Sequence, residues 1–534
     1  MFRFLHTESK TIIGAAAIVG ALSFVSRFVG FIRDRLLAGA FGAGDTLDVY
    51  YAAFKVPDLM FNLIVVGAIS SSFIPLFSEL YFGNRKEEAW KFTNTVLHIL
   101  GLIMIVLSII LLLFSNPISA LIAPGFNDVK REAVSEFMRV MLIAQVLLSF
   151  SMVFGSVLQS FKQFFLYSLA PIFYNIGIIF GALFFTKFFG PIGLAWGVVL
   201  GAFLHVLSQW IECRRSGYSH KFVFSKNTKE IKEMVRMTSP RMLGIVVNQL
   251  LFFILMIIAT TLPTGSVTVF QFAYNIQFFP VGIIGVSFAI AAFPLFSEHI
   301  LHDDIKSFRE SFSSTIRQTL FLLIPFMLLF LILRSQIVRV VVGAGAFDWT
   351  STVLTADTLA FFALTFIPQA FVFILARAFF ALHDSITPLT AGLVGALIGI
   401  ISAYLFSPTF GVVGLGMAYS LSAIINAVLL WVPLRQRIKS LDEASILQSI
   451  IKFAVSGLIS GVVMQGIKYV LVLFLPLHTF FDVFFQGLVA GGVGLFAYFL
   501  IAWLLKADEM KAFVESMQKK ILKKAQVDAT QTLG

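Results

Sequence analysis

The residues with most chemistry to offer stand close together near the start of the chain. Between Ser26 and Asp58 lie Arg27, Arg33, Asp34, Arg35, Asp45, Asp48, Lys55 and Asp58, whereas residues 14–25 and 59–77 carry no formal charge. An arginine at bilayer depth costs about 2.5–3.5 kcal/mol on insertion scales, so it faces a water-filled cavity or a partner. Arg27 and Asp34 are seven residues apart and share a helix face, as do Asp48 and Lys55. Arg33 points roughly 120° away from Arg27, and Gly30 offers the local break that would let both reach one cavity. Pro57 predicts a kink in the second helix. Fixed arginines suit an anion, because guanidinium clamps phosphate through two parallel bonds. Arg27, Arg33, Asp48 and Lys55 are therefore the candidate ligands, with Asp34 a partner. The competing reading is a set of ion pairs that join two helices. Arg35, Asp45 and Asp58 read as interface or loop charges.

The elements that must carry these residues are membrane helices. Of 534 residues, 58% are hydrophobic and 62 are Phe, while only 13% are charged, against about 25% in soluble domains. Mean hydropathy is +0.93. Apolar runs near 20 residues, the length that spans a bilayer as a helix, recur from end to end. The ten-residue alternation of a β-barrel is absent. The fold class is thus an all-α polytopic membrane protein with about fourteen transmembrane helices. A net charge of +11 would suggest nucleic acid in a soluble chain. Here the cations gather in loops such as "NRKEEAWK", "RRSGYSHKFVFSKNTKEIK", "HDDIKSFR" and "RQRIKS". Loops on the other side, "TLPTGS", "SPTF" and "LPLHTFFD", have no Lys or Arg; "NDVKREAVSE", with Lys130 and Arg131, is an exception. The positive-inside rule puts both termini in the cytoplasm. Cys213, the single cysteine, excludes an internal disulfide and a Cys-rich metal site.

An internal repeat organises the chain. "FGPIGLAWGVVLGAFLHVLSQW" (189–210) matches "FGVVGLGMAYSLSAIINAVLLW" (410–431), and "IPLFSEL" (74–80) echoes "FPLFSEH" (293–299). These matches predict an N-terminal six-helix lobe over 11–213 and a C-terminal one over 232–434, joined by a cytoplasmic linker over 214–231. Six is even, so the lobes are parallel repeats around a central cavity, an architecture that leans towards a transporter. Two further helices occupy 447–505. The tail over 506–534 places Met510, Phe513, Val514, Met517, Ile521 and Leu522 on one stripe among lysines, as in a helix lying on an anionic leaflet.

"SRFVGFIRD", "FGAGDTLDVYYAAFKVPD", "FIPLFSEL", "KQFFLYSLAP" and "RAFFALHDSITP" resemble, in this order and over nearly the whole chain, the motifs of the MurJ/MviN lipid II flippases. That family belongs to the multidrug/oligosaccharidyl-lipid/polysaccharide exporter superfamily. The resemblance implies fourteen helices, with a lipid-tail groove on the last two. It also implies transport of lipid-linked peptidoglycan precursor to the outer leaflet of the bacterial inner membrane. Arg27 and Arg33 would meet the pyrophosphate, and Asp48, Asp34 and Lys55 also match. The family's arginine pair in the second helix is here Phe61 and Asn62, and its arginine in the eighth helix is Asn275. Arg241, in "SPRMLG", is a candidate to restore some of that charge, with Gln249 and Gln277 as neutral partners for a sugar. The neutral positions keep two alternatives open: a flippase for another polyprenyl-linked glycan, or a small-molecule or cation antiporter of the superfamily.

No cofactor, metal or nucleic acid is expected. The chain lacks a G-x-x-x-x-G-K-[ST] loop, and a membrane negative inside favours export of an anion by about 2.3 kcal/mol per charge per 100 mV. "HILHDD" (299–304) reads as a solvated turn, and His98 and His205 have no second ligand at helical spacing. No hydrolytic constellation stands out, so the chain is not expected to be an enzyme. Its expected partners are a polyprenyl-pyrophosphate-linked glycan and membrane lipid, with the chain a monomer that works alongside cell-wall synthesis enzymes.

Overall fold

The computed structural model describes residues 12–66, 72–223 and 229–515, without the side chains of 12–18, 66, 229, 235 and 237–248. The expected linker (214–231) and tail (506–534) fall partly outside it, Met517, Ile521 and Leu522 included. Among the described residues every regular element is a helix. Helix α1 is Ile12–Phe41 and α2 is Asp45–Phe61. After a π turn at Asn62–Val66 follow α3 (Phe73–Phe82), α4 (Lys86–Leu113), α5 (Ser115–Ile122), α6 (Asp128–Ser160), α7 (Phe164–Phe180) and α8 (Gly193–Arg215). Then come α9 (Lys229–Thr260), α10 (Ser266–Pro280), α11 (Val286–Leu301), α12 (Ile305–Ile332), α13 (Arg334–Val341), α14 (Trp349–Leu364) and α15 (Phe366–Ala381). The chain continues through α16 (Ile386–Phe410), α17 (Val412–Ile438), α18 (Glu443–Val472) and α19 (Phe480–Leu504).

Nine helices among the described residues are long and apolar enough to cross a membrane, and the pair α14 and α15, bent by 41°, makes ten. One of these, Phe164–Arg215, runs for 52 residues, which as a straight helix would reach about 78 Å, more than twice the hydrocarbon thickness. Gly190, at φ +68°, turns it back, so it makes two passes. With α1, the broken α2–α3 and α9, the architecture is consistent with about fourteen spans. Prolines and glycines mark where the hydrogen-bond ladder loosens. The expected disturbance near Pro57 takes the form of the π turn at Asn62–Val66, and two more π turns lie at Gly181–Phe185 and, after Pro280, at Val281–Gly285.

Residues divide into two compact units. The first holds Met1–Phe272, Val341–Thr352 and Ala403–Leu415, and the second Ala273–Val340, Val353–Ser402 and Gly416–Gly534. The core of the first joins Phe73, Phe77, Val96, Met104, Val153 and Val157. There α7 and α8 meet backbone to backbone: a Cβ on Gly177 would lie 2.2 Å from the Gly201 nitrogen. Small residues at such crossings let membrane helices approach closely enough for dispersion to bind them. The second unit is built on Phe296, Phe308, Phe312, Phe321, Phe379 and Tyr498. Tyr498 donates its hydroxyl to the Phe321 carbonyl at 3.0 Å, which fastens α19 to α12.

The connection between α12 and α14 departs from the charge pattern expected of its side. It carries Arg334 and Arg339 on α13, a second exception beside Lys130 and Arg131.

Candidate functional site

The charged stretch becomes two adjoining structures, both inside the first unit. On α1, Arg33 turns to its own neighbour: Nε and Nη2 donate to Asp34 Oδ1 at 3.0 and 2.7 Å. Nη1 donates to Asn175 Oδ1 of α7 at 2.9 Å, and Asn175 is itself aimed by Nδ2 bonding to the Pro171 carbonyl at 3.0 Å. Asp34 is only 3% exposed, so its charge needs a partner in the apolar bundle, and this guanidinium supplies one. A guanidinium has five N–H donors; three are used here, and two have no partner among the described residues. Tyr50 and Tyr51 of α2 lie within Coulombic reach of the pair, and the Tyr51 hydroxyl is buried without a hydrogen-bond partner among the described residues. Arg27, half-buried on α1, stands about 9 Å before Arg33 along the helix axis.

Asp48 meets a different environment. Its side chain is 1% exposed and accepts from the Gly265 amide at 2.7 Å, the Thr268 amide at 3.0 Å and the Thr268 hydroxyl at 2.7 Å. Those amides open α10, where unpaired N–H groups and the helix dipole favour an anion. Gly265 has φ +92°, and a Cβ there would lie 2.5 Å from the Ala43 carbonyl, so glycine is required for this approach. Lys130 Nζ stands 4.0 Å from Asp48, 2.6 Å from Asp45 and 4.2 Å from the Phe126 ring. What reads in the sequence as an exception to the loop-charge rule thus completes the surroundings of Asp48.

Two turns along α2, Lys55 donates to Gln271 Oε1 at 2.8 Å and lies 4.5 Å from the Phe252 ring. Asp58, read from sequence as a loop or interface charge, is half-buried within α2. It lies within Coulombic reach of Lys55 and of Tyr174, because one helical turn brings it round to the face of Lys55. Asn62 donates to the Asp58 carbonyl at 2.9 Å as the helix opens into its π turn.

The remaining candidates are placed differently. Asn275 lies one turn beyond Gln271 on α10 and belongs to the second unit. Arg241 lies on α9, with its side chain outside the described residues. Gln277, expected to offer hydrogen bonds to a sugar, is fully buried and accepts from Gln369 Nε2 at 3.2 Å. It belongs to a Gln277–Thr365–Gln369 cluster at the α14–α15 bend, where polar side chains bind helices together. In "HILHDD", His299 pairs with Ser311 at 3.0 Å and Asp304 caps α12 through the Ser307 amide at 3.0 Å.

Asn175, Gly265, Thr268, Gln271 and Lys130 were not singled out from sequence as site residues. The signal was thin: Asn175 is one amide in an apolar run, four residues after Pro171. Gly265 and Thr268 are ordinary helix-start residues until Asp48 meets them.

The sequence model of the family described as "Lipid II flippase MurJ" matches residues 37–485. Curated proteins named "Probable lipid II flippase MurJ" are similar along most of their length. One from Buchnera aphidicola subsp. Baizongia pistaciae is 26% identical, covering 92% of this chain and 97% of the relative. Another, from Thermotoga maritima, is 27% identical over 92% of this chain and 96% of its own. A third, from Rhizobium tropici, is 29% identical over 83% and 84%. Among solved structures, "Lipid II flippase MurJ, inward closed conformation" shares the fold with a TM-score of 0.76, at 24% identity over 92% of this chain and 99% of that one. An inward-facing multidrug resistance MATE family transporter of the MOP superfamily follows at 0.67, with 17% identity over 80% and 99%. With the family matched across most of its length and the fold shared, this chain is a multi-pass membrane protein that belongs to the lipid II flippase MurJ family.

Proposed function

We propose that the chain moves lipid-linked peptidoglycan precursor, lipid II, from the inner to the outer leaflet of a bacterial inner membrane by alternating access. In this reading both termini are cytoplasmic. The observation that carries it is the Arg33 guanidinium, held by Asp34 and Asn175 with two N–H donors unpartnered among the described residues. A pyrophosphate accepts such donors in pairs, and Arg27 on the same helix adds a second cation. The polyprenyl chain needs no polar partner and stays in lipid or along α18 and α19. Asp48 serves as a latch: its bonds to the start of α10 hold that helix end in place, and opening there must exchange them for water or headgroup contacts. Export of the anionic headgroup runs with the membrane potential, by about 2.3 kcal/mol per charge per 100 mV.

A second reading, transport of another polyprenyl-linked glycan, is favoured by Phe61, Asn62 and Asn275, which are neutral where the family resemblance implies arginine. The deciding experiment is rescue of a bacterium depleted of its own lipid II flippase. The wild-type chain is expected to restore growth, and Arg33→Ala and Asp48→Ala are expected to fail at equal membrane levels. Rescue by an Arg27→Ala/Asp48→Asn double variant as good as wild type would overturn the anion-site argument. No rescue by wild type, with insertion verified, would favour the other glycan.

A further inference from the structure

The short connection between α13 and α14 packs on the end of α1, backbone against backbone. Val341–Thr352 belongs to the first unit, although the chain on both sides of it belongs to the second. The Ala346 amide donates to the Gly39 carbonyl of α1 at 2.9 Å. A Cβ on Gly345 would lie 2.3 Å from that same carbonyl oxygen, and one on Gly42 would lie 2.7 Å from the Ala346 oxygen. Gly345 and Gly42 have φ of +51° and +64°, so the seam admits a side chain at neither place. On its other side the α1–α2 connection meets Gly265, which stands against the Ala43 carbonyl.

This segment has a shape of its own. The Ala344 amide bonds the Val342 carbonyl at 2.8 Å, and the Phe347 amide bonds the Ala344 carbonyl at 3.0 Å. Asp348 caps α14 through the Ser351 amide at 2.9 Å. Val342 and Phe347 are buried, while Gly345 and Ala346 are exposed, so the strap shows its backbone to the outside and turns two apolar side chains inward. The Phe347 ring lies 5.8 Å from Phe272, and Phe272 lies 5.7 Å from Tyr51, which stands within Coulombic reach of Arg33 and Asp34. An aromatic column thus runs from the strap to the candidate anion site. In the orientation proposed above this is the outer end of α1, and Gly39 lies about 9 Å beyond Arg33 along the helix.

We propose that residues 342–348 are the outer lid of the transport path. Seated on α1 they close the way out beyond Arg33, and they lift from Gly39 and Gly42 when the path opens outward. The inference rests on the alternating-access reading. A lid must close tightly and still part readily. Close backbone approach gives dispersion contact and leaves no room for water, whereas a main-chain hydrogen bond at an exposed edge is exchanged for one to water at little net cost. Because the strap is bonded within itself, it moves as one piece with the α13 and α14 ends that carry it. Its departure takes Phe347 from Phe272 and uncovers the aromatic column.

The test locks the lid. A Cβ on Gly39 would lie 3.3 Å from that of Ala344, close to the separation of about 3.8 Å in a disulfide, and the native Cys213 is buried. Gly39→Cys/Ala344→Cys is expected to cross-link on oxidation. It should then fail to rescue flippase-depleted cells whose periplasm forms disulfides, and rescue those whose periplasm does not, which shows that the reduced variant folds. Rescue by the cross-linked chain would overturn the lid, and absence of the cross-link under oxidation would overturn the seam. A second readout needs neither cargo nor cells. In the purified full chain the cross-link is expected to slow hydrogen exchange at the Ala346, Gly265 and Thr268 amides about tenfold or more. Gly345→Val, which cannot seat, is expected to speed it about fivefold or more. Failure of wild type to rescue, with this exchange pattern present, would overturn the cargo and keep the lid. Exchange unchanged in both variants would overturn the lid whatever the cargo.

Discussion

Asp34 and Asp48 are both almost fully buried, at 3% and 1% exposure, yet their charges are met in opposite ways. Asp34 is answered by a cation next to it in sequence, so this ion pair lies within α1, and Asn175 aims the guanidinium. Asp48 is answered by two amides and a hydroxyl at the start of α10, with the Lys130 cation at a remove of 4.0 Å. The bond between Arg33 and Asp34 lies within α1 and survives motion of other helices against it, whereas the one to Asn175 ties α1 to α7. The Asp48 arrangement ties α2 to α10 and must be broken if they part. A buried ion pair adds little net stability but is costly to halve, whereas a cap is a local, exchangeable bond. In the function proposed above, Arg33 takes the anion-holding part and Asp48 the moving part.

The largest effect should come from halving the closed pair. Arg33→Ala leaves Asp34 buried without its cation and is expected to cost about 3–5 kcal/mol, read as a drop in thermal unfolding in detergent. Arg33→Met/Asp34→Leu, which removes both charges, should recover most of that stability while still failing to rescue flippase-depleted cells. Equal melting of the single and double variants would show that Asp34 is not dependent on Arg33.

Next in size is the cap. Asp48→Ala strands two amides and a hydroxyl and is expected to cost about 2–3 kcal/mol, while Asp48→Asn keeps one acceptor and should cost about half as much. If Asp48 is the moving part, Asp48→Asn should change the rate of rescue more than it changes melting. A loss of melting with rescue untouched would make it a purely structural cap.

How far these roles were legible beforehand follows from where the partners lie. Membrane class and the need of Arg33, Asp34, Asp48 and Lys55 for partners follow from residue type in an apolar setting, because a charge there needs a reason. Who answers each charge is a tertiary fact. Asn175, Gly265, Thr268 and Gln271 come from distant helices, and none differs in type from residues that only glue helices together. Gln277 shows the converse, a polar residue on a spanning helix whose amide oxygen is taken up by neighbouring Gln369 and Thr365. Asp58, read as an interface or loop charge, lies within α2, which runs past Pro57 to Phe61 before its π turn. Lys130 was legible only as an exception among the loop charges, since a loop cation looks the same whether it sets orientation or meets a partner.

Asn175 tests whether Arg33 needs aiming as well as pairing. Asn175→Leu removes one hydrogen bond to a charged group and is expected to cost about 1.5 kcal/mol, less than either carboxylate change. The sharper readout is rescue at reduced expression, which should fall because the guanidinium is no longer held towards its ligand. Asn175→Asp, which keeps an acceptor but adds an anion, should restore the aim while competing with the pyrophosphate for Arg33. Rescue equal to wild type in both variants would mean that Asp34 alone positions Arg33.

The smallest expected effect concerns Lys130, and it separates the two kinds of carboxylate most finely. Its closer partner, Asp45, is 65% exposed, so that bond is screened by water and worth about 0.5 kcal/mol or less. Lys130→Ala should therefore leave melting nearly unchanged at physiological salt. Its field still reaches Asp48, so the neutral variant should release the start of α10 slightly more readily, and Lys130→Glu, which places a third anion beside Asp45 and Asp48, more readily still. Hydrogen exchange at the Gly265 and Thr268 amides would register this as faster exchange in the order wild type, Lys130→Ala, Lys130→Glu, with the spread narrowing as salt rises. The amides around Asn175 should not respond, because the Asp34 pair has its cation within the same helix. An equal response at both places would erase the distinction between a closed pair and an exchangeable cap.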